Sequence, residues 1–191
     1  MCKEGNDIGS KLVVVSGPSG AGKDTIAAEI IKLDGKFSLS VSATTRAPRE
    51  GEVDGVNYFF LSEDEFLRNI KENAFIEYAK YSSNYYGTLK RDVQSKIAEG
   101  KIIILVIDVQ GAEKIKREYP DSLSLFIMPP SKEILRQRLN DRMTEDNADI
   151  EKRIKIAEDE MKKRSSYDYV VVNDDLNAAV SEVYDIITKS H

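Results

Sequence analysis

Lys23 closes the stretch LVVVSGPSGAGKDT, Leu12–Thr25, in which Gly17, Gly20 and Gly22 follow an apolar run and precede a helical pattern. A strand, then Gly-x-x-x-x-Gly-Lys, then a helix is the order in which backbone N–H groups line a concave phosphate site. Glycines permit the close approach, the helix start adds unpaired donors and partial positive charge, and Lys23 adds a full charge. The residue after the lysine is ordinarily Ser or Thr, whose hydroxyl reaches Mg²⁺; here it is Asp24, with Thr25 behind it. Two groups of arginines offer further anion chemistry: Arg46 and Arg49 in one loop, and Arg136, Arg138 and Arg142 in a later segment. Planar guanidinium forks suit phosphate oxygens, two bonds at a time.

Composition narrows the remaining chemistry. The chain has 191 residues, 41% hydrophobic and 32% charged, which is enough to bury a core and ordinary for a globular domain. Its single histidine is His191 and its single cysteine is Cys2. Ser-His-Asp triads, Cys-His pairs and Cys/His metal sites are therefore excluded, leaving Lys, Arg, carboxylates, hydroxyls and a borrowed metal ion. A lone cysteine fits a reducing compartment, and neither a membrane-spanning run nor a signal-peptide pattern is seen, so the expectation is cytoplasmic. A net charge of −5 speaks against a general nucleic-acid binder.

The elements that must position these groups alternate. Met1–Ser10 reads as a loose leader. Strands are expected at 37–41, 57–61, 75–81, 101–108, 122–128 and 167–172, with helices at 62–71, 89–99, 110–118, 131–140, 149–163 and 175–188. Ser62 to Glu65 has the spacing of a capping box. Lys101–Asp108 is almost unbroken β-branched sequence, as for a strand buried on both faces. Such alternation calls for α/β architecture, a mostly parallel sheet flanked by helices. Residues 44–88 break the rhythm and read as a small antiparallel sub-domain of their own.

Seven stretches together resemble guanylate kinase, of the nucleoside monophosphate kinases: GPSGAGKDT, SVSATTRAPREGEVDGVNYFF, FIEYAKYSSNYYGT, IDVQGA, LFIMPPS, RLNDRMT and YDYVVVNDDL. They occur in the family's order over nearly the whole chain. The resemblance implies a P-loop NTPase fold with core segments 1–43, 89–137 and 149–191, a GMP-binding sub-domain at 44–88 and a lid at 138–148. It implies transfer of the γ-phosphate of ATP to GMP, and with it dGMP, using Mg²⁺. ATP would be held by Gly17, Ser19, Gly20, Ala21, Gly22, Lys23, Asp24 and Thr25, with Asn173 near the adenine. GMP would be held by Ser42, Arg46, Arg49, Glu52, Tyr58, Glu77, Tyr86, Thr88 and Asp108. Glu77 would read guanine, because one carboxylate can accept from both N1–H and the N2 amine, whereas adenine presents a lone pair at N1. Lys23, Arg46, Arg138, Arg142 and Arg153 would meet the charge of the moving phosphoryl group. Closure of the 138–148 loop would exclude water.

The chain also departs from the family. Val106 stands where relatives commonly carry an acid, and Met143 replaces a usual lid glycine. With Asp24 after Lys23, the expectation is a rearranged metal site in which Asp24 helps hold Mg²⁺. Two other readings compete: a guanylate-kinase-like module that grips a phosphopeptide without catalysis, and a kinase with a different phosphorylated acceptor.

Overall fold

The computed structural model describes residues 8–81, 83–141 and 147–191. Its main sheet is parallel throughout, with strand order β2-β7-β1-β8-β9. These strands are β1 (Leu12–Ser16), β2 (Phe37–Leu39), β7 (Ile102–Val106), β8 (Leu123–Met128) and β9 (Tyr169–Val172). The second sheet has the order β4-β3-β6-β5, from β3 (Ser42–Thr44), β4 (Phe59–Phe60), β5 (Phe75–Tyr81) and β6 (Asn84–Leu89). Helices are α1 (Lys23–Leu33), α2 (Glu63–Lys71), α3 (Lys90–Ala98), α4 (Val109–Glu118), α5 (Lys132–Asp141), α6 (Asn147–Met161) and α7 (Leu176–Ser190).

Side chains of β1 and β7 alternate across the main sheet, as the period of two requires. Val13, Val15, Ile102 and Ile104 join one core with Ile26, Ala27 and Ile30 of α1 and Val180, Val183 and Ile187 of α7. Leu12, Val14, Ile103 and Leu105 join the other with Val93 of α3 and Ala112 and Ile115 of α4. Both faces being covered explains why these strands carry no polar alternation. Helices α5 and α6 share a small core of their own, Leu135, Leu139, Ile150, Ile154 and Ala157.

The structure corrects several expected boundaries. The strand expected at 37–41 ends at Leu39: Phe37–Leu39 pairs with β7, and the chain then turns into the second sheet at Ser42. The strand at 57–61 shrinks to Phe59–Phe60. The second sheet is mixed, because β3 and β4 run parallel while β3·β6 and β5·β6 are antiparallel. The 45–58 connection is long enough to bring the chain back in the same direction, which a tight hairpin could not do. The capping box is present: Ser62 accepts from the Glu65 N–H and the Glu65 carboxylate accepts from the Ser62 N–H.

Candidate active site

The loop between β1 and α1 is shaped by what lies behind it. Gly17 has φ +136°, and a Cβ there would lie 2.2 Å from the Ile127 carbonyl oxygen of β8. No other residue fits against that backbone. Gly22, at φ +92°, is the N-cap of α1 and offers no side chain to its first N–H groups. Those donors are left for a ligand, as at other anion-binding helix starts. The Lys23 ammonium donates to the carbonyls of Gly17 (2.7 Å) and Pro18 (3.0 Å), so it is held over the loop that it serves. Ser19, Asp24 and Thr25 are exposed, whereas Gly20 and Ala21 are buried.

Arg153 of α6 reaches this loop, and Arg138 of α5 reaches Asn173, which itself bonds the loop. Arg153 donates to Ser19 Oγ at 2.8 Å, and Arg138 donates to the Asn173 carbonyl at 3.0 Å. Asn173, just after β9, is buried, and its side-chain amide donates to the Ala21 carbonyl at 2.8 Å. Arg136, grouped with Arg138 by sequence, is elsewhere: it pairs with Glu151 on the exposed side of the α5–α6 pair. Arg142 and Met143 lie outside the described residues.

The second sheet builds a separate constellation. Cross-strand register puts Ser42, Thr88 and Glu77 in one row, with Thr44, Tyr86 and Ala79 two rows along. A β-bulge between Phe75 and Glu77 decides this. Phe75 opposes Leu89, and both face a core with Phe66 and Ala43. In a regular strand Glu77 would share that face. The extra residue, Ile76, packs into the core beneath α4 instead, and Glu77 opposes Thr88 on the other side. Glu77 is 7% exposed, and its Oε1 accepts from Thr88 Oγ1 at 2.8 Å. Burial pushes its carboxyl up to about 7, partly offset by the Thr88 hydrogen bond and increased by the Asp108 charge. Asp108 caps α4 by accepting from the Gly111 N–H at 2.7 Å. A Cβ on Gly111 would come within 3.1 Å of Glu77 Oε2, so this glycine leaves the carboxylate its place.

Arg46 is gripped by Glu52 through two parallel bonds, Nη1–Oε2 at 2.9 Å and Nη2–Oε1 at 2.8 Å. Glu52 also accepts from the Arg49 N–H at 2.7 Å. The Arg46 hydrogen bond, followed by that backbone donor, holds the Glu52 carboxyl below its ordinary range. The Arg46 guanidinium lies 5.4 Å from the Tyr58 ring centre, and the Tyr58 and Tyr86 rings meet edge to face at 6.3 Å. Arg46, Tyr58 and Tyr86 therefore converge, while the Arg49 side chain is exposed. Glu52, expected among the groups on the second substrate, here bonds Arg46 and the Arg49 N–H.

Sequence reading missed Glu160. Arg153, Ala157 and Glu160 share one stripe of α6: Arg153 bonds Ser19 of the glycine loop, and Ala157 is buried in the core shared with α5. Burial raises the Glu160 carboxyl, and Lys23 is the largest influence that lowers it. In a helix as charged as α6, spacing alone could have flagged it only against the position of Arg153.

Fold and loop define a P-loop nucleotide-binding α/β protein with a second constellation of charged, hydroxyl and aromatic side chains on its own sheet. The sequence pattern of guanylate kinase matches residues 9–190. The chain is 51% identical over 176 residues to the guanylate kinase of Caldanaerobacter subterraneus subsp. tengcongensis, covering 92% of this chain and 85% of that one. To the guanylate kinase of Synechocystis it is 41% identical over 187 residues, covering 98% of each. The crystal structure of guanylate kinase from Anaplasma phagocytophilum superposes with a TM-score of 0.75 at 34% identity, covering 93% of this chain and 84% of that chain. The chain belongs to the guanylate kinase family.

Among the described residues no helix is long and apolar enough to cross a membrane, and no group of three or more His, Cys, Asp and Glu is arranged to hold a metal ion.

Proposed function

We infer that this protein transfers the γ-phosphoryl group of ATP to GMP, giving ADP and GDP. The observation that carries the reading is the coexistence of a lysine-closed phosphate loop with a buried carboxylate, Glu77, beside Ser42, Thr88 and Asp108. The Glu77 carboxylate accepts guanine N1–H and N2–H, and Arg46, Arg49, Tyr58 and Tyr86 take the GMP phosphate. One GMP phosphate oxygen attacks the γ-phosphorus as the bond to the β,γ-bridging oxygen breaks and ADP leaves. Positioning and charge neutralisation do most of such work. Lys23 exchanges its loop carbonyls for phosphate oxygens, and Arg138 and Arg153 approach from the α5–α6 side, with Arg142 assigned the same role by resemblance. Residues 44–88 serve as the GMP sub-domain; the lid assigned to 138–148 spans 142–146, which lie outside the described residues, and the rest of it is the end of α5 and the start of α6.

Mg²⁺ favours a few oxygen ligands while keeping several waters. An exposed carboxylate and hydroxyl, Asp24 and Thr25, stand in the first turn of α1 and fit that need. Bound there with ATP, the ion would neutralise phosphate charge. Val106, packed against the apolar core beside α1, adds no oxygen.

A coupled assay with ATP, Mg²⁺ and each of GMP, dGMP, AMP, CMP and UMP tests the reading. Activity is expected with GMP and dGMP, and activity confined to AMP or UMP would refute the role of Glu77. In the same assay Asp24→Ser is expected to raise the Mg²⁺ concentration at half-maximal rate; an unchanged or lower requirement removes Asp24 from the metal site. Tight phosphopeptide binding without turnover would favour the non-catalytic module, against which the intact Gly17, Gly22 and Lys23 stand.

A further inference from the structure

Asn173 touches the phosphate loop and an arginine of α5 at once. Its buried amide donates to the Ala21 carbonyl at 2.8 Å, and its own backbone carbonyl accepts from Arg138 Nη2 at 3.0 Å. The fit around it is tight, since a Cβ on Gly22 would lie 2.2 Å from Asn173 Nδ2. The carbonyl of Ala21 and the N–H of Gly22 belong to one planar trans peptide unit and point in opposite directions. Pinning the carbonyl inward, onto Asn173, therefore aims the Gly22 N–H outward at the start of α1. Gly20 and Gly22 both have positive φ, at +87° and +92°, so the loop could otherwise turn its peptide planes with little steric cost. The second nitrogen of Arg138, Nη1, is buried without a hydrogen-bond partner among the described residues. One guanidinium nitrogen is thus anchored on Asn173, and the other is a donor with its hydrogen-bonding unspent.

We propose that Asn173 is a positioning residue for the ATP triphosphate: its amide orients the Ala21–Gly22 peptide, and its carbonyl holds Arg138 beside the same loop. This rests on the reading of the loop as the ATP phosphate site, and it moves Asn173 from the adenine to the phosphates. One N–H of the side-chain amide is engaged by the Ala21 carbonyl, and the residue is 5% exposed, which leaves little of it open to a base.

Titration calorimetry with inorganic tripolyphosphate, ATP and GMP separates the two roles, because tripolyphosphate has no base. Asn173→Asp keeps the shape but sets a carboxylate oxygen against the Ala21 carbonyl. It is expected to weaken tripolyphosphate and ATP by the same factor, about tenfold or more, as for the loss of a buried hydrogen bond. GMP affinity is expected to be unchanged, and in turnover the KM for ATP rises while that for GMP does not. Asn173→Ala, which removes the donor without adding repulsion, changes in the same direction by a smaller factor, and decides the matter if the aspartate variant does not fold. Loss of ATP affinity with tripolyphosphate binding intact overturns the proposal in favour of an adenine contact. Equal loss of GMP affinity overturns it in favour of a general structural role. If the wild-type protein bound neither ATP nor tripolyphosphate, the functional reading itself would fail; wild-type binding with unaltered variants fails the proposal alone.

Discussion

The two anion sites hold their cations in different ways. Lys23 rests on two neutral carbonyls of its own loop. Arg46 is gripped by a carboxylate, Glu52, with both side chains less than a fifth exposed. A triphosphate that displaces these carbonyls uncovers no charge on the loop backbone, and the carboxyl that senses Lys23, Glu160, lies on α6. On the proposed reading, a GMP phosphate would share Arg46 with Glu52 and be accepted beside a negative group. The loop lysine is positioned by backbone, and the Arg46 guanidinium by another side chain.

Breaking the donor side has the largest expected effect. Lys23→Met removes the one full charge in the loop and is expected to lower kcat by about 10³-fold, with GMP binding retained by calorimetry. A variant that kept wild-type turnover would place the transition-state charge elsewhere.

Glu77→Gln sharpens the acceptor side. One amide cannot accept from both guanine donors with the same group, and the expected outcome is a KM for GMP raised about a hundredfold with AMP discrimination reduced. The wild-type carboxyl titrates near 7, far above its ordinary 4.5, chiefly because it is buried. Guanine reading needs the carboxylate, so in wild type the KM for GMP should climb as pH falls below about 7, a trend absent from the variant. Stability has the opposite sign. Between about 4.5 and about 7 the folded protein binds a proton that the unfolded chain does not, so stability falls as pH rises through that window. Denaturant melts of wild type against Glu77→Gln, compared at both ends of the window, check this: the variant gains on wild type as pH rises.

Glu52→Gln has the smallest expected effect and tests the contrast itself. A neutral amide holds Arg46 less firmly but repels phosphate less. The KM for GMP should shift by only a few fold, about threefold, while its increase with added salt steepens as Arg46 becomes more solvated. A loss as large as that of Glu77→Gln would make Glu52 a direct contact to GMP.

The donor loop was legible in the chain because it is contiguous. Its glycines, lysine and helix start sit within one short stretch, and each acts through local backbone geometry. The alternation of strands and helices was legible for a related reason, since β1 and β7 must bury both faces and their composition says so. The acceptor site was legible only through family resemblance. Ser42, Thr88 and Glu77 come from three strands of one sheet, and a plain alternation of Phe75–Tyr81 would turn Glu77 toward Phe66. The grouping of Arg136 with Arg138 failed because neighbours in sequence diverge around a helix, one toward Glu151 and one toward Asn173.

Residue types and order alone determined that a polyphosphate binds, that no histidine or cysteine chemistry is available inside the domain, and that a parallel sheet carries the loop. Tertiary structure decided which way Glu77 faces, that Glu52 serves Arg46, and that Asn173 lies behind the phosphate loop. Those outcomes depend on register, a single bulged residue and contacts between distant segments. Local sequence can set the conformation of a loop, but the side on which a strand presents a carboxylate depends on how its neighbours pair with it.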